Sequence, residues 1–433
     1  MKTVKALAQG TGSSIAVSRC QTCDSDRLES ILFLGYLPPV NTMPTIGERP
    51  KEQPGYPAEL LYCRNCSLAQ LGLIVDPAIL FPPQYPYSSG TTKVLRDNFK
   101  ELYDECSTVV ALKPSDLIID IGSNDGTLLS NFKNAGHKVF GIEPTLMGNK
   151  AVEAGIPTEL AFFSVETAAR VRDQIGKAQI ITATNVFAHI ENIHSIVDGI
   201  LSLLDDDGIF ISESHYLLSL IETLQYDTIY HEHLRYYSLS SLKYLLNKHG
   251  LELIHAKRIP THGGSIRVYA ARKGAHKVLP SIEQITELEQ KSGLATTMLE
   301  QFKMRVTVSK LALNSILLDL KRSGHRIFGV GAPSRASTLI NYVGIDDGIL
   351  DCVVEVKNSH KVGKNMPGTI IPVKEEGCLF EEQPEYALLL SWHIKEELMH
   401  NLTAKGFHGQ YIVPLPHPVI VKNDGKTVVR EIK

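Results

Sequence analysis

The segment "SDLIIDIGSNDGTLL", residues 115–129, constrains the fold of this chain more than any other part of it. An apolar run of strand length leads into a turn with two glycines, and a helical pattern follows. This order is typical of open α/β sheets, where backbone N–H groups at the start of the helix face a ligand. Short apolar strands and amphipathic helices continue to alternate after it. The pattern predicts an α/β fold with a doubly wound, Rossmann-like parallel sheet.

The length of 433 residues predicts more than one domain. Residues 1–85 carry many prolines, four paired cysteines and few periodic apolar residues, so we expect a small domain that a metal ion staples. The Rossmann-like domain is expected over residues 86–275. A long helical stretch then precedes a second alternation of strands and helices, which predicts another Rossmann-like α/β domain over residues 276–433.

Composition and charge exclude some classes of partner. The chain has 43% hydrophobic and 21% charged residues, as ordinary globular proteins do. Its formal net charge of -3 argues against nucleic-acid binding, which needs a clearly basic surface. No apolar run approaches the length of a membrane span, and the N-terminus lacks the apolar core of a signal peptide. We expect a cytoplasmic enzyme, either a monomer or a homodimer.

Two C-x-x-C pairs, "RCQTC" and "YCRNC", supply Cys20, Cys23, Cys63 and Cys66. Cytosolic thiols stay reduced, so paired cysteines there favour a metal ion over a disulfide. Four thiolates suit a tetrahedral zinc ion, and the long gap between the pairs is tolerable because loop closure costs little more as a loop lengthens. A closed four-thiolate site has no position for substrate, so we expect a structural zinc.

The glycine-rich turn is the predicted cofactor site. Glu143 follows the next strand, where a carboxylate can bind the hydroxyls of a ribose. The D-x-G start fits S-adenosylmethionine better than it fits a nicotinamide cofactor, although the turn alone does not separate the two. The residues expected to bind the cofactor are Asp120, Gly122, Ser123, Asn124, Gly126, Thr127, Leu128, Glu143, Pro144 and Asn185.

The segment "IYHEHLRYYS" gathers Tyr230, His231, Glu232 and His233. Zinc proteases space their histidines one helical turn apart, and these two are closer, so a metal site matches poorly. An acid/base site matches better, because an imidazole takes a proton, a carboxylate orients it and a tyrosine donates to a developing oxyanion. Such groups remove a proton α to a carbonyl. A polar loop without a catalytic role is the alternative.

Neighbouring loops add candidates for the same pocket. Asn185 and His189 follow a strand at the edge where open α/β sheets bind ligands. Tyr85 and Tyr87 lie at the expected domain junction, where they either line the site or simply pack.

Two further turns carry polar residues that we assign to the substrate. "THGGSIRVY" offers His262 and Arg267, although it fits a plain hairpin equally well. "GVGAPSRAST" again joins a strand to a helix and suits a phosphate or pyrophosphate, with Ser334 and Arg335 as contacts. A tight structural turn is the alternative. Two nucleotide-like turns indicate a cofactor and a substrate that carries a nucleoside diphosphate.

Together these segments resemble the S-adenosylmethionine-dependent C-methyltransferases that act on nucleotide-linked deoxysugars. The matching pieces run in family order over essentially the whole chain: "CQTC", "CRNC", "YPYSSG", "DIGSNDGTLL", "NVFAHI", "YHEH", "HGGSIRVY", "GVGAPSRASTLINY", "MPGTIIPV" and "IVPLP". The resemblance implies a zinc-binding N-terminal domain, a class I methyltransferase core and a C-terminal α/β domain that helps to bind the nucleotide diphosphate. It also implies a dTDP- or GDP-linked 4-keto deoxysugar as substrate, methylated at C3.

The resemblance also implies roles for particular residues. His233 would be the general base, with Tyr230 and Glu232 beside it. Two residues depart from the family pattern: His215 stands where a proline is expected, and Arg335 where a lysine is common. Both departures bear on substrate preference. The residues implied to line the sugar pocket are Asn185, His189 and one of Tyr85 and Tyr87.

The sequence leaves two other classes of protein open. The first is an NAD-dependent oxidoreductase or epimerase that acts on a nucleotide sugar through the "GVGAPS" turn. The second is a non-catalytic zinc-bearing protein such as a nucleic-acid adaptor, against which the near-neutral charge counts.

Overall fold

The computed structural model describes residues 14–81, 90, 92–423 and 427–428. The N-terminal part is built on a small antiparallel sheet in which β3 pairs with both β2 and β4. Leu28 stands opposite Cys63, so the β2–β3 pairing brings the two cysteine pairs together. Its elements are β1 (Ser14–Ala16), β2 (Leu28–Leu37), β3 (Tyr56–Cys63), β4 (Ala69–Leu71), β5 (Leu73–Val75) and α1 (Pro77–Leu80).

The middle part alternates strands and helices as predicted. Its first elements are α2 (Lys93–Val109), β6 (Leu117–Ile121), α3 (Thr127–Asn134), β7 (Lys138–Ile142), α4 (Gly148–Glu153), β8 (Thr158–Glu159), α5 (Val165–Ile175), β9 (Ala178–Thr184) and α6 (Ile193–Leu203). The remainder are β10 (Leu204–His215), α7 (Leu217–Glu222), β11 (Arg235–Tyr236), α8 (Leu239–Lys248), β12 (Leu251–Ile259) and β13 (Ser265–Arg272).

Seven of these strands form one sheet in the order β12-β13-β10-β9-β6-β7-β8. The five strands from β10 to β8 run parallel, which confirms the predicted α/β class, and β13 and β12 extend the sheet antiparallel. β6 is buried along its whole length, as expected of a parallel strand with helices on both faces. The carboxyl ends of β6, β7, β9 and β10 meet at one edge, where such sheets bind ligands.

The C-terminal part repeats this architecture. Five parallel strands in the order β16-β15-β14-β17-β18 are followed by antiparallel β19 and β20. None of the helices that the structure describes combines the length and the apolar character needed to cross a membrane. The elements are α9 (Ser281–Ser292), α10 (Leu299–Arg322), β14 (Ile327–Val330), α11 (Ser334–Val343), β15 (Cys352–Glu355), β16 (Val373–Glu375), α12 (Gly377–Glu382), β17 (Tyr386–Leu389), α13 (Lys395–Ala404), β18 (Gln410–Val413), β19 (Val419–Val421) and β20 (Thr427–Val428).

One strand of the middle part belongs to the N-terminal sheet. β11 pairs antiparallel with β4, with Arg235 opposite Gln70 and Tyr236 opposite Ala69. The N–H of Leu71 also donates to the carbonyl of Leu234 at 3.0 Å. The backbone that follows the "YHEH" segment is therefore an edge strand of the domain that carries the cysteines.

A buried ion-pair network fixes α2 on the large sheet. The guanidinium of Arg267, in β13, donates to Glu213 of β10 at 2.6 Å and to Glu105 of α2 at 2.7 Å. It also donates to the side chain of Asn98 at 3.0 Å, and Arg267 is fully buried. The structure thus contradicts the prediction that Arg267 binds substrate, because its donors hold the fold together.

We predict that Arg267→Leu strongly destabilises the protein, because it leaves the carboxylate of Glu213 buried without its partner. Loss of one member of a buried pair costs about 3–5 kcal/mol in the free energy of unfolding, measured by chemical denaturation. Lys177→Leu is the control, since its ion pair with Asp206 is largely exposed and contributes at most about 1 kcal/mol. Equal losses in the two variants would contradict this account of α2.

Candidate active site

The four cysteines of the two C-x-x-C pairs converge on one point. Their sulfur atoms all lie within 4.8 Å of one another, and they are the one such cluster of metal-binding side chains among the described residues. Cys20 and Cys66 are 3.5 Å apart at sulfur, as are Cys23 and Cys63, too far for disulfides. The contact with Cys66 lowers the pKa of the Cys20 thiol, towards the thiolate that zinc binds. This is the closed donor set of a structural zinc site.

The predicted cofactor turn lies between β6 and α3. Asp120, in β6, is buried and accepts a hydrogen bond from Thr182 at 2.6 Å, and burial raises the pKa of its carboxyl to about 7. Gly122 has a φ of 70°, and a Cβ there would lie 2.4 Å from the side chain of Val186. Glycine is thus required both by the backbone and by the close approach of a neighbouring strand's loop.

Glu143 holds the turn from the end of β7. Its carboxylate accepts from the backbone N–H of Asn124 at 2.9 Å and from the N–H of Thr145 at 2.9 Å. The side-chain oxygens of Ser123 and Asn185 are buried with no hydrogen-bond partner among the described residues. Since buried polar atoms are almost always paired, these atoms fit the contacts of a bound nucleoside. The turn therefore suits the adenosyl group of S-adenosylmethionine.

The remaining members of the predicted cofactor set surround this turn. Gly126, with a φ of 77°, precedes α3, whose first residues are Thr127 and Leu128. Pro144 directly follows Glu143. Asn185 lies just past β9 with a φ of 56°, an uncommon backbone conformation for this residue type that the hydrogen bond from its N–H to the carbonyl of Glu213 helps to hold.

His233 is the centre of a cluster of imidazole and phenol rings. Its ring centroid lies 4.2 Å from that of Tyr230, 4.6 Å from His215 and 5.0 Å from His189. Its Nδ1 lies 2.8 Å from the carbonyl oxygen of Thr228, which only accepts, so Nδ1 carries the proton. The Nε2 lone pair of His233 is therefore free to act as a base.

Burial keeps this cluster uncharged. It lowers the pKa of His233 well below its usual value, and the positive charge of Arg335 acts in the same direction. Burial also lowers the pKa of His189 to about 4 and raises the pKa of Tyr230 well above its usual value. At neutral pH the site thus holds a neutral base beside a protonated phenol, the pair needed to abstract a proton and to stabilise an oxyanion.

His231 and Glu232 point the other way, towards the N-terminal domain. Nε2 of His231 lies 3.2 Å from the carbonyl of Pro57, and its ring packs against Tyr56. The carboxylate of Glu232 accepts a hydrogen bond from the side-chain amide of Asn41 at 2.6 Å. These residues therefore secure the segment that carries His233.

The prediction that Arg335 binds a phosphate is contradicted. Its guanidinium makes two 2.9 Å hydrogen bonds to the buried carboxylate of Asp227 and a third, at 3.0 Å, to Gln225. It also stacks on Trp392, whose ring N–H donates to Asp227 at 2.7 Å. Arg335 thus ties the C-terminal domain to the stretch that precedes Tyr230.

The other predicted substrate residues have mixed outcomes. His262 joins the cluster, with its ring 5.7 Å from that of His215. Ser334 is the first residue of α11, at the predicted turn. Tyr85 and Tyr87 lie outside the described residues.

Two residues of the site were not identified as such from the sequence. His215 appeared only as a departure from the family pattern, although its place at the end of a strand was a usable signal. Lys361 had no signal at all: its ammonium donates to the carbonyl of Ala332 at 2.5 Å, at the predicted phosphate turn. Burial lowers the pKa of Lys361, and the charges of Glu355 and Glu232 act against that.

Three family models match consecutive parts of the chain: a zinc binding domain over residues 20–81, a methyltransferase domain over residues 93–256, and a C-methyltransferase C-terminal domain over residues 260–416. The C-methyltransferase NovU of Streptomyces niveus is 29% identical over 411 residues, which cover 94% of this chain and 97% of that protein.

Solved structures align with this chain at low TM-scores. Magnesium protoporphyrin IX methyltransferase (ChlM) from Synechocystis PCC 6803 with bound SAH is 16% identical, with 41% of this chain and 83% of that chain covered at a TM-score of 0.33. The PH0226 protein from Pyrococcus horikoshii OT3 is 13% identical, with 45% and 98% covered at a TM-score of 0.33. A likeness at this score supports no conclusion about the activity of this chain.

The glycine turn, the fold and the cysteine cluster define a zinc-stapled methyltransferase that uses S-adenosylmethionine. More closely, the chain is similar to the C-methyltransferases that join such a core to a zinc-binding N-terminal domain and a C-terminal domain of their own. The predicted class of enzyme and both predicted cofactors, S-adenosylmethionine and structural zinc, are confirmed. The nicotinamide and adaptor alternatives are set aside.

We predict that Cys63→Ser abolishes zinc binding and loosens the catalytic segment, because Cys63 ends β3 and β11 depends on the same sheet. Zinc content falls by metal analysis, and amide exchange rises in β2–β4 and β11 while β6 and β9 stay protected. Cys378→Ser is the control, since that thiol lies far along the chain and donates to Glu382. If amide exchange in β11 is unchanged in a zinc-free protein, the order of β11 does not depend on the zinc site, and the prediction is wrong.

We predict that Gly122→Ala weakens S-adenosylmethionine binding, because the added Cβ requires both a left-handed backbone and a shift of Val186. Calorimetry should show the dissociation constant rising at least about tenfold, equivalent to about 1.4 kcal/mol. Gly136→Ala carries the same backbone strain with nothing within 4 Å of its Cβ, so it tests strain alone. Similar affinity losses in both variants would remove the turn from the cofactor site.

Proposed function

We propose that the enzyme transfers a methyl group to a carbon of a nucleoside-diphosphate-linked 4-keto deoxysugar, at C3, in deoxysugar biosynthesis. One observation supports this most: the free Nε2 of buried His233, next to the phenol of Tyr230, is the equipment for making an enolate from a ketone. The family resemblance of the sequence supplies the sugar class and the position. The nucleoside diphosphate that carries the sugar is dTDP or GDP. The reduced thiols of the zinc site are consistent with a cytoplasmic enzyme.

In the mechanism, Nε2 of His233 takes the acidic proton from the carbon next to the sugar ketone. The hydroxyl of Tyr230 donates to the oxygen on which negative charge develops. Asn185 and His189, which follow β9 at the same edge of the sheet, line the sugar pocket. Bound S-adenosylmethionine supplies an electrophilic methyl group to the enolate carbon. Positioning matters most, since reacting atoms must come within about 3–3.5 Å.

The diphosphate of the substrate is assigned to the turn before α11. Backbone N–H groups at the start of this ten-residue helix favour an anion, and Ser334 stands at its first position. Because Arg335 is occupied by Asp227, the cation that we assign to the phosphates is Lys361, whose ammonium already lies at this turn. Breaking its contact with the carbonyl of Ala332 leaves it free to donate to a phosphate oxygen.

The direct test is methyl transfer from labelled S-adenosylmethionine to a panel of dTDP- and GDP-linked 4-keto hexoses. We expect label on one carbon next to the ketone, at C3, located by NMR. Transfer to an oxygen atom, or to no member of the panel, would reject the proposal.

We predict that His233→Gln lowers the turnover number by about 10²–10⁴-fold, the usual contribution of a general base. Binding of S-adenosylmethionine, measured by calorimetry, should stay within about twofold of the wild type, because His233 lies outside the cofactor turn. The matched control is His231→Gln, two residues away, whose ring faces Tyr56 instead. Comparable losses in turnover in both variants would show that the segment, and not the base, is responsible.

The pH profile gives a second check on His233. Because burial lowers its pKa, the imidazole stays neutral, and active, down to pH values well below its ordinary value of 6.5. The value of kcat/KM for wild-type enzyme should therefore stay level from neutral pH through 6.5 and decline only in more acidic buffer.

A further inference from the structure

The proposed reaction leaves one proton behind in each turnover. A carbon–hydrogen bond is replaced by a carbon–carbon bond while a positive sulfonium becomes a neutral thioether, so one proton must reach the solvent. His233, which takes that proton, is only 5% exposed. Its Nδ1 is already bound to the carbonyl of Thr228. The proton must therefore be passed on before His233 can act again.

His215 and His262 form a row that leads away from His233. His215 ends β10, and its ring centroid lies 4.6 Å from that of His233 and 5.7 Å from that of His262. The pairing of His215 with Ser265, at the start of β13, holds the two strands in register. Both outer histidines are only partly buried, whereas His233 is buried, so the outer members of the row are more exposed than the proposed base.

Unpaired ring nitrogens continue this row. Nε2 of His262 and Nδ1 of His393 are buried without a hydrogen-bond partner in the part of the chain that the structure describes. The short 3₁₀ turn Thr261–Gly263 packs against the turn Trp392–Ile394, which places His393 beyond His262 at the face between the domains. Such nitrogens are suited to a neighbouring imidazole or to one bridging water molecule.

The opposite side of the cluster offers no comparable route among the described residues. His189 also contacts His233, at 5.0 Å between centroids, but its next ring neighbour is Phe81, at 5.8 Å. A phenyl ring neither accepts nor donates a proton. Among the described residues, the row through His215 is thus the one that continues from His233 through further imidazoles.

We propose that His215 and His262 are a proton relay that carries the proton from His233 to the solvent at the face between the methyltransferase core and the C-terminal domain. The relay rests on the proposed function, since it needs a proton on His233. The proton passes from the sugar carbon to Nε2 of His233, then to His215, then to His262 and finally to water. Each imidazole accepts the proton at a ring nitrogen, passes a proton to the next group and returns to its neutral form. No further reactant is needed.

Burial and charge keep the proton from resting on the relay. Burial lowers the pKa of His215 well below its usual value, and the positive charge of Arg335 lowers it further. Burial lowers the pKa of His262 to about 4, with a contribution from Arg335. Both relay histidines are therefore neutral at neutral pH and can accept a proton.

The test separates methyl transfer from proton release in the first turnover. A stopped-flow instrument with a pH-indicator dye in weak buffer follows the proton, and chemical quench follows the methylated sugar. In wild-type enzyme both should rise together. In His215→Gln, methyl transfer in the first turnover should stay within about threefold of wild type. Proton release and steady-state turnover should slow at least about tenfold, the scale of a lost acid–base group, and added imidazole should restore them.

His262→Gln should show the same separation, and it keeps the test open if His215→Gln fails to fold. His137→Gln, which removes a partly exposed imidazole just after α3, should leave both signals together. The relay is rejected if the two signals stay together in both relay variants. It is also rejected if His215→Gln slows the first methyl transfer as much as it slows steady-state turnover. Failure of wild-type enzyme to methylate any 4-keto sugar is a different result, which rejects the proposed function instead.

Discussion

The backbone from Asp227 to Tyr236 is held by all three parts of the chain, and the arrangement of the active site depends on that constraint. The C-terminal domain holds its beginning through Arg335 and Trp392, both of which donate to Asp227. The N-terminal sheet holds its end through the pairing of β11 with β4. His233 lies between these two attachments, so its ring has a defined position although it stands on a stretch with little regular structure.

This constraint gives the zinc ion a role beyond local stability. The cysteines lie before β2, at the end of β3 and in the turn before β4, and β4 in turn pairs with β11. Asn41, from the same domain, holds Glu232. A zinc site with no open position takes no part in bond making, yet the sheet that it organises holds the segment that carries His233. The cysteine cluster and this segment are therefore joined through one continuous hydrogen-bonded sheet.

Local patterns made the fold and half of the site predictable. Short stretches of sequence are enough to recognise the alternation of strands and helices, the glycine turn with Glu143 and the two C-x-x-C pairs. The two arginines were assigned wrongly because their partners are distant in the chain: Asp227 is 108 residues from Arg335, and Glu213 is 54 residues from Arg267. A charged side chain next to a glycine turn gives no sign of whether its partner is a ligand or a buried carboxylate.

The same limit applies to β11 and to His215. Two residues that pair with a strand more than 160 positions earlier show no hairpin spacing, so nothing local reveals that the catalytic segment joins the N-terminal sheet. His215 ends a strand whose second half is almost entirely buried, and its ring neighbours His233 and His262 come from separate segments, one of them beside the antiparallel strand β13. The antiparallel pairing of β13 with β10 depends on tertiary contacts, which the hydrophobic periodicity of the sequence does not reveal.

Several neutral imidazoles around one methyl donor also make electrostatic sense. In the proposed mechanism, bound S-adenosylmethionine would add a positive sulfonium to the site, and a protonated imidazole next to it would be costly at a low dielectric constant. Burial favours the neutral form of His233, as a base that has yet to take up a proton requires. In the proposed mechanism, the proton taken up by His233 would replace the sulfonium charge that methyl transfer removes, so the net charge of the site would be unchanged through the chemical step. Only the departure of that proton restores the state that accepts a second cationic donor, which makes the route of the proton as much a part of the cycle as the route of the methyl group.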